Sequence, residues 1–213
     1  MERDKELQKE QISTCENEFF SWGFGKKWSF GHCVSMHNYA FIDSQNVHLG
    51  IRDQGWKLDW RRLRVYLSDK YDVHEAFIFI GHVSGNERTY AALQSAGYIL
   101  VFKPTLIFQR DRQQIVKGNV DAELVLHAMI EWKNYDKAVI ISGDGDFHCL
   151  IKYLLEKEKL CRLIVPNQRK HSRLLREFSL HTTYLDRLQG KLEYINRKRG
   201  ISSGQNPSVS LSS

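Results

Sequence analysis

Residues 138–158 read AVIISGDGDFHCLIKYLLEKE, and they decide the fold. AVIIS (138–142) is a short β-branched run with no polar alternation, the pattern of a strand covered on both faces. Gly143 to Asp146 interrupt it. Phe147, Leu150, Ile151, Leu154 and Leu155 then recur at i, i+3, i+4, i+7 and i+8, which predicts a helix over 146–158 with one apolar stripe against a sheet. Outward from this unit, YAFID (39–43), AFIFIGHV (76–83), YILVFK (98–103) and LCRLIVP (160–166) read as further strands. Helical patterns fall near 59–70, 86–96 and 119–133. Strands alternating with helices imply parallel pairing through right-handed crossovers. The expected class is α/β, a three-layer sandwich with a mainly parallel central sheet, in which ligand chemistry collects at the carboxyl ends of the strands.

The chain has 213 residues, 42% apolar, 12% aromatic and 26% charged, enough for one globular domain with a substantial core. No run approaches the roughly 20 apolar residues of a membrane span, and the first 30 residues mix Glu with Lys where a signal peptide needs an apolar stretch. A cytoplasmic location is the expectation. Residues 1–37 read as an extension, with Phe19, Phe20, Trp22, Phe24, Trp28 and Phe30 interleaved with Lys26 and Lys27. That mixture suits packing on the domain or in a homodimer, or stacking on unpaired bases. Residues 189–213 read as a basic, then Ser-rich and disordered tail. Cys15, Cys33, Cys149 and Cys161 have no paired spacing, so neither a zinc knuckle nor a redox motif is encoded.

Four aspartates fall at the predicted carboxyl edge. Asp43 ends the first strand, Asp144 and Asp146 follow the fourth, and Asp121 lies in the first turn of a helix opened by Asn119. Folding alone offers no reason for Asp43 and Asp144, whereas Asp146 could cap the helix from 147 and Asp121 would favour a helix dipole. Converging carboxylates repel unless a cation joins them, and an oxygen-only set selects magnesium or manganese over zinc. Such a set could activate water against a phosphodiester. A nucleotide-sugar D-x-D site fits poorly with the chain's length and basic surface. A haloacid-dehalogenase-type aspartate motif fails because Gln45 stands where a second Asp is required, and no phosphate-cradling GxxxxGK[ST] occurs.

FIDSQN (41–46), KGNVDAEL (117–124) and ISGDGDF (141–147), in that order and on those elements, resemble the NYN domain of the LabA-like branch of PIN-type nucleases, over about residues 38–188. The resemblance implies a PIN-like, Rossmann-like fold and a metal-dependent ribonuclease. It also implies Asp43, Asp121, Asp144 and Asp146 as metal and catalytic carboxylates, Asn46 orienting a phosphate or water, and Lys117 approaching the scissile phosphate. One departure is Gly145: many relatives read SGDSDF, so a hydroxyl is missing here. Ser142 could supply one from the same loop.

RNA is the expected partner, because basic groups flank the acids. Arg110 and Arg112 lie before the Asp121 helix, while Arg169, Lys170, Arg173 and Arg176 follow the fifth strand, Arg169, Arg173 and Arg176 at helical spacing. From Arg169 to Arg199 nine Lys/Arg stand against three Asp/Glu, a surplus equal to the whole net charge of +6. His48, His127 and His148 lie near the motifs as proton donors or packed rings. The leading expectation is a metal-dependent endoribonuclease; the alternatives are a non-catalytic binding module of the same fold and a small-substrate phosphohydrolase.

Overall fold

The computed structural model describes residues 37–103, 106–110, 113–117 and 120–195, with side chains at 37–103 and 122–195. Six strands form the central sheet: β1 (Asn38–Asp43), β2 (Val73–Gly81), β3 (Ile99–Lys103), β6 (Ala138–Ile141), β7 (Leu160–Val165) and β8 (Thr182–Tyr184). All their pairings are parallel. A separate antiparallel hairpin joins β4 (Leu106–Arg110) to β5 (Gln113–Lys117). The helices are α1 (Ser44–Arg52), α2 (Trp60–Tyr71), α3 (Glu87–Ser95), α4 (Val120–Ile130), α5 (His148–Glu156) and the single turn α6 (Gln189–Leu192).

Side-chain alternation along the strands divides the core in two. Ala40, Ile42, Ala76, Ile78, Val139, Ile141 and Ile164 face Val47 and Ile51 of α1, Leu63 and Leu67 of α2, and Leu93 of α3. Their neighbours Phe41, Phe77, Phe79, Ile140, Leu163 and Val165 face Leu124 and Ala128 of α4 and Leu150, Ile151 and Leu154 of α5. Both faces are covered at the centre of the sheet, which is why β1 and β6 are buried along their whole length rather than alternating. The stripe expected on the last helix is buried: Phe147, Ile151 and Leu154 are fully enclosed, and truncating Phe147 to Ala would cost about 3–5 kcal/mol.

The sheet order is β3-β2-β1-β6-β7-β8. From β1 the chain moves outward to β2 and β3, returns to β6 on the other side of β1, and moves outward again. The order therefore reverses between β1 and β6, leaving a crevice at their carboxyl ends that no crossover covers. The three-layer α/β sandwich is as expected. Three features were not: α1, which starts with no loop after β1; the β4–β5 hairpin; and β8. The helix expected at 146–158 is a 3-10 turn (Gly145–Phe147) running into α5, and that at 119–133 is α4 followed by a 3-10 turn (Glu131–Lys133). No helix among the described residues is long and apolar enough to cross a membrane. The extension as far as residue 36 and the tail beyond 195 lie outside the described residues.

Candidate functional site

The crevice is built by two strand ends. β1 delivers Asp43 directly into α1 as its N-cap, and the carboxylate Oδ1 accepts a hydrogen bond from the Asn46 backbone N–H at 3.1 Å. Only 4% of Asp43 is exposed. Burying a carboxylate costs several kcal/mol. The cap bond, the Ser142 hydroxyl donating to its Oδ2 at 3.3 Å, and the α1 dipole offset that cost at about 1–3 kcal/mol each. Beside it, Ser44 Oγ donates to the Phe79 carbonyl at 2.8 Å and ties the start of α1 to β2.

β6 delivers the second half. The Ser142 hydroxyl oxygen accepts from the Asp144 N–H at 3.1 Å while its proton is given to Asp43. Ser142 is thus a clip between the two aspartates, its one proton already committed, and not the free hydroxyl for substrate that the sequence suggested. Asp144 caps the 3-10 turn Gly145–Phe147, its Oδ1 accepting from the Asp146 N–H at 3.1 Å. The capping assignment is therefore corrected. Asp43 and Asp144 both carry local structural duties, Asp146 caps nothing among the described residues, and α5 begins at His148, with Phe147 as an N-cap that offers no side-chain bond. A strand that turns straight into a helix leaves N–H groups unsatisfied, and only the preceding residue's side chain can reach them.

Asn46 spans the crevice. Its Oδ1 accepts from the Gly143 N–H at 2.8 Å, which fixes the carboxamide's orientation because a backbone N–H only donates. Among the described residues no hydrogen bond engages its Nδ2 amide group, which can only donate. On the far side the Ser172 N–H donates to the Gly143 carbonyl at 3.0 Å. A β-carbon on Gly145 would stand 2.4 Å from Ser172 Oγ, so a second hydroxyl occupies the place where the sequence motif lacks one. Sequence reasoning missed Ser172. Its signal was its position as N-cap of the 3-10 helix Arg173–His181.

The four expected carboxylates are only partly brought together. Asp43 and Asp144 meet through Ser142, Asp146 is exposed one turn on, and the Asp121 side chain, like those of Arg110 and Lys117, lies outside the described residues. Arg112 lies outside them altogether. Among the described residues no group of three or more His, Cys, Asp or Glu is placed to hold a metal ion. The basic strip is also revised. Asn167 Oδ1 accepts from the N–H groups of Arg169 (2.9 Å) and Lys170 (3.3 Å), so Arg169 sits in a turn and not on a helix. Arg173 and Arg176 share a face of the 3-10 helix, where i and i+3 eclipse. All three arginines are exposed, and Lys170 pairs with Asp53 at 3.0 Å. His127 packs against Phe79 at 5.4 Å between ring centres, and His148 is held by Glu177 and Phe178, leaving His48 exposed on α1.

A family model described as NYN domain matches residues 39–186. Over 125 residues the chain is 28% identical to the low amplitude and bright protein LabA of Synechococcus elongatus (strain ATCC 33912 / PCC 7942 / FACHB-805), covering 55% of this chain and 67% of that protein. In fold it is similar to the crystal structure of a protein of unknown function, VPA0982, from Vibrio parahaemolyticus RIMD 2210633. That likeness has a TM-score of 0.58 at 21% identity, over 76% of this chain and 98% of the other.

Proposed function

Because this chain belongs to the NYN domain family, in its LabA-like branch, we propose that it is a metal-dependent endoribonuclease acting at the crevice between β1 and β6. One observation carries the reading: Asp43, Asn46, Ser142 and Asp144, from two motifs almost a hundred residues apart, are joined by hydrogen bonds at the point where the sheet order reverses. Ligands in such sheets bind there.

The donor set suits a hard cation. Asp43 and Asp144 present carboxylate oxygens, and Asn46 an amide, from two adjacent strand ends, and an all-oxygen carboxylate set is the kind that magnesium or manganese takes. Asp43 and Asp144, with Asp146 and Asp121, would hold magnesium or manganese. When bound, such an ion supplies a water of lowered pKa and charge neutralisation at a phosphodiester. The remaining work falls to the chain itself. Ser142 holds the two aspartates in register, and the Asn46 amide donates to a phosphate oxygen. Arg169 and Arg173 fix the flanking backbone, in a role shared with Arg110, Arg112 and Lys117. Phosphate contacts of this kind position a strand without reading its bases.

End-labelled single-stranded RNA and DNA incubated with the protein in manganese, beside EDTA and Asp144→Asn lanes, test this. RNA cleavage is expected only in the metal lane of the unaltered protein. Cleavage undiminished in Asp144→Asn refutes the catalytic assignment, and metal binding without cleavage of either polymer replaces it with a non-catalytic module.

A further inference from the structure

Two adjoining cavities of ≈ 510 and ≈ 470 Å³ share Lys57, Leu58, Trp60 and Thr89, and so form one groove. It lies on the same edge of the sheet as the aspartates. α2 ends one residue before β2 begins, and its 12 residues rise about 18 Å, close to the ~20 Å length of β1, so Trp60 and Arg61 stand at the carboxyl edge. α3 follows the carboxyl end of β2 and places Arg88 beside them. α1 connects the two regions: its first turn carries Asn46, and its later residues His48, Ile51 and Arg52 line the groove.

The groove combines charge with aromatic surface. Arg52, Lys57, Arg61 and Arg88 are exposed along it. Among the described residues no hydrogen bond or ion pair engages the Arg61 or Arg88 guanidinium. Among the described residues the one carboxylate in the lining, Asp59, is already occupied. It caps α2 through the Arg61 and Arg62 N–H groups at 3.0 and 3.2 Å and lies 3.7 Å from Arg62 Nε. Trp60 is half-buried, braced edge-on against Tyr98, and Tyr194 is 48% exposed with the Lys57 ammonium 4.9 Å from its ring centre. Cations interleaved with aromatic faces match a partner that is both polyanionic and flat-faced.

We infer that this groove binds single-stranded nucleic acid running across α1 from the aspartate crevice, with bases on Trp60 and Tyr194 and phosphates on Arg61 and Arg88. The inference rests on the nucleic-acid reading of the crevice and extends it to a second contact region. An acidic peptide would satisfy the cations but leave the exposed aromatic faces without a role.

Affinity of the full chain for a single-stranded RNA of about 12 nucleotides, measured in EDTA over a salt series, separates binding from cleavage. Arg61→Ala combined with Arg88→Ala is expected to weaken binding at least tenfold at low salt and to flatten the log–log salt slope by about 1.4, at ~0.7 per phosphate contact. Tyr194→Ala is expected to lose about tenfold and Tyr194→Phe to keep its affinity, since stacking needs the ring and not the hydroxyl. Thermal melting shows that each variant folds. Asp144→Asn, assayed alongside, should retain the groove's contribution. Unchanged affinity and slope in the double variant overturn the groove, even in a protein that cleaves RNA. RNA binding that depends on Arg61, Arg88 and Tyr194 in a protein that cleaves nothing upholds the groove while the nuclease reading falls. A polyglutamate peptide bound as tightly as RNA, and lost with the same substitutions, overturns the nucleic-acid assignment in favour of an acidic peptide.

Discussion

Gly145→Ala should destabilise this protein, and Ser172→Gly should restore it. A β-carbon at residue 145 would meet Ser172 Oγ at 2.4 Å, Ser172 Cβ at 3.0 Å and Leu174 Cδ1 at 3.3 Å. Rotating the Ser172 hydroxyl away clears the first contact but gives up its bond from the Leu174 N–H. That bond is long at 3.4 Å, so the loss lies near the lower end of the ~0.5–2 kcal/mol typical of a cap. The Cβ–Cβ approach remains after rotation, and Ser172 cannot retreat without stretching its backbone bond to Gly143. Overpacking of this kind costs about 1–3 kcal/mol. The sum is about 2 kcal/mol, or a Tm lowered by about 4–8 °C for a chain of this size. Glycine at an N-cap costs only a few tenths of a kcal/mol relative to serine, so Ser172→Gly alone should be nearly neutral. Urea denaturation of the four proteins in a double-mutant cycle should give a coupling of about 1–2 kcal/mol. A Gly145→Ala variant as stable as the parent, or one that Ser172→Gly fails to rescue, refutes the reasoning.

Three further outcomes are expected. A β-carbon on Gly50 would lie 2.7 Å from the Pro166 Cβ, a ring atom that cannot rotate away; Gly50→Ala should cost about 2–3 kcal/mol by denaturation and, by lifting α1, reduce RNA cleavage through Asn46. Asp43→Asn keeps an oxygen for the cap and should melt close to the parent, whereas Asp43→Ala should lose about 1–2 kcal/mol, and neither should cleave RNA; equal melting of the two would remove the capping role. Burial pushes the phenols of Tyr98, Tyr66 and Tyr135 up, and Tyr71 adds to the effect at Tyr66. Because the folded chain holds protons that the unfolded chain releases above about pH 10, their contribution to stability is complete below that pH and is lost as pH rises above it. Phenolate absorbance from Tyr66, Tyr98 and Tyr135 should therefore appear only together with unfolding; their ionisation while the chain stays folded would contradict this.

The legible parts of the fold were those with a long repeating signal. The stripe from Phe147 to Leu155 and the apolar runs of β1, β2, β3, β6 and β7 each repeat their pattern several times, and each was located to within a few residues. α1 was missed because SQNVHLGIR buries only Ser44, Val47 and Ile51 in nine residues that include Gly50, too few turns for a period to stand out. β8 was missed because three residues, TTY, acquire strand character only by pairing with Leu163, Ile164 and Val165 of β7. In the site, the motif residues Asp43, Asn46 and Asp144 could be named in advance. Ser172 could not, since its contact with Gly143 depends on where the loop after β7 lands.

What the sequence determined by itself is the layering and which polar residues stand at the strand ends. Hydrophobic period separates strands from helices, and the place where each apolar run stops puts Asp43 and Asp144 at the carboxyl ends of parallel strands. The tertiary structure alone decided how those residues are employed. Which side chains cap, clip or remain free depends on hydrogen-bond partners such as Ser142 with Asp43 and Gly143 with Asn46, almost a hundred residues apart in the chain. The basic and aromatic groove likewise gathers Lys57, Arg88 and Tyr194 from segments that share no motif. Spacing along the chain records what must lie on one face of one element. Directional bonds and charge fields between elements arise only when the sheet order places those elements side by side.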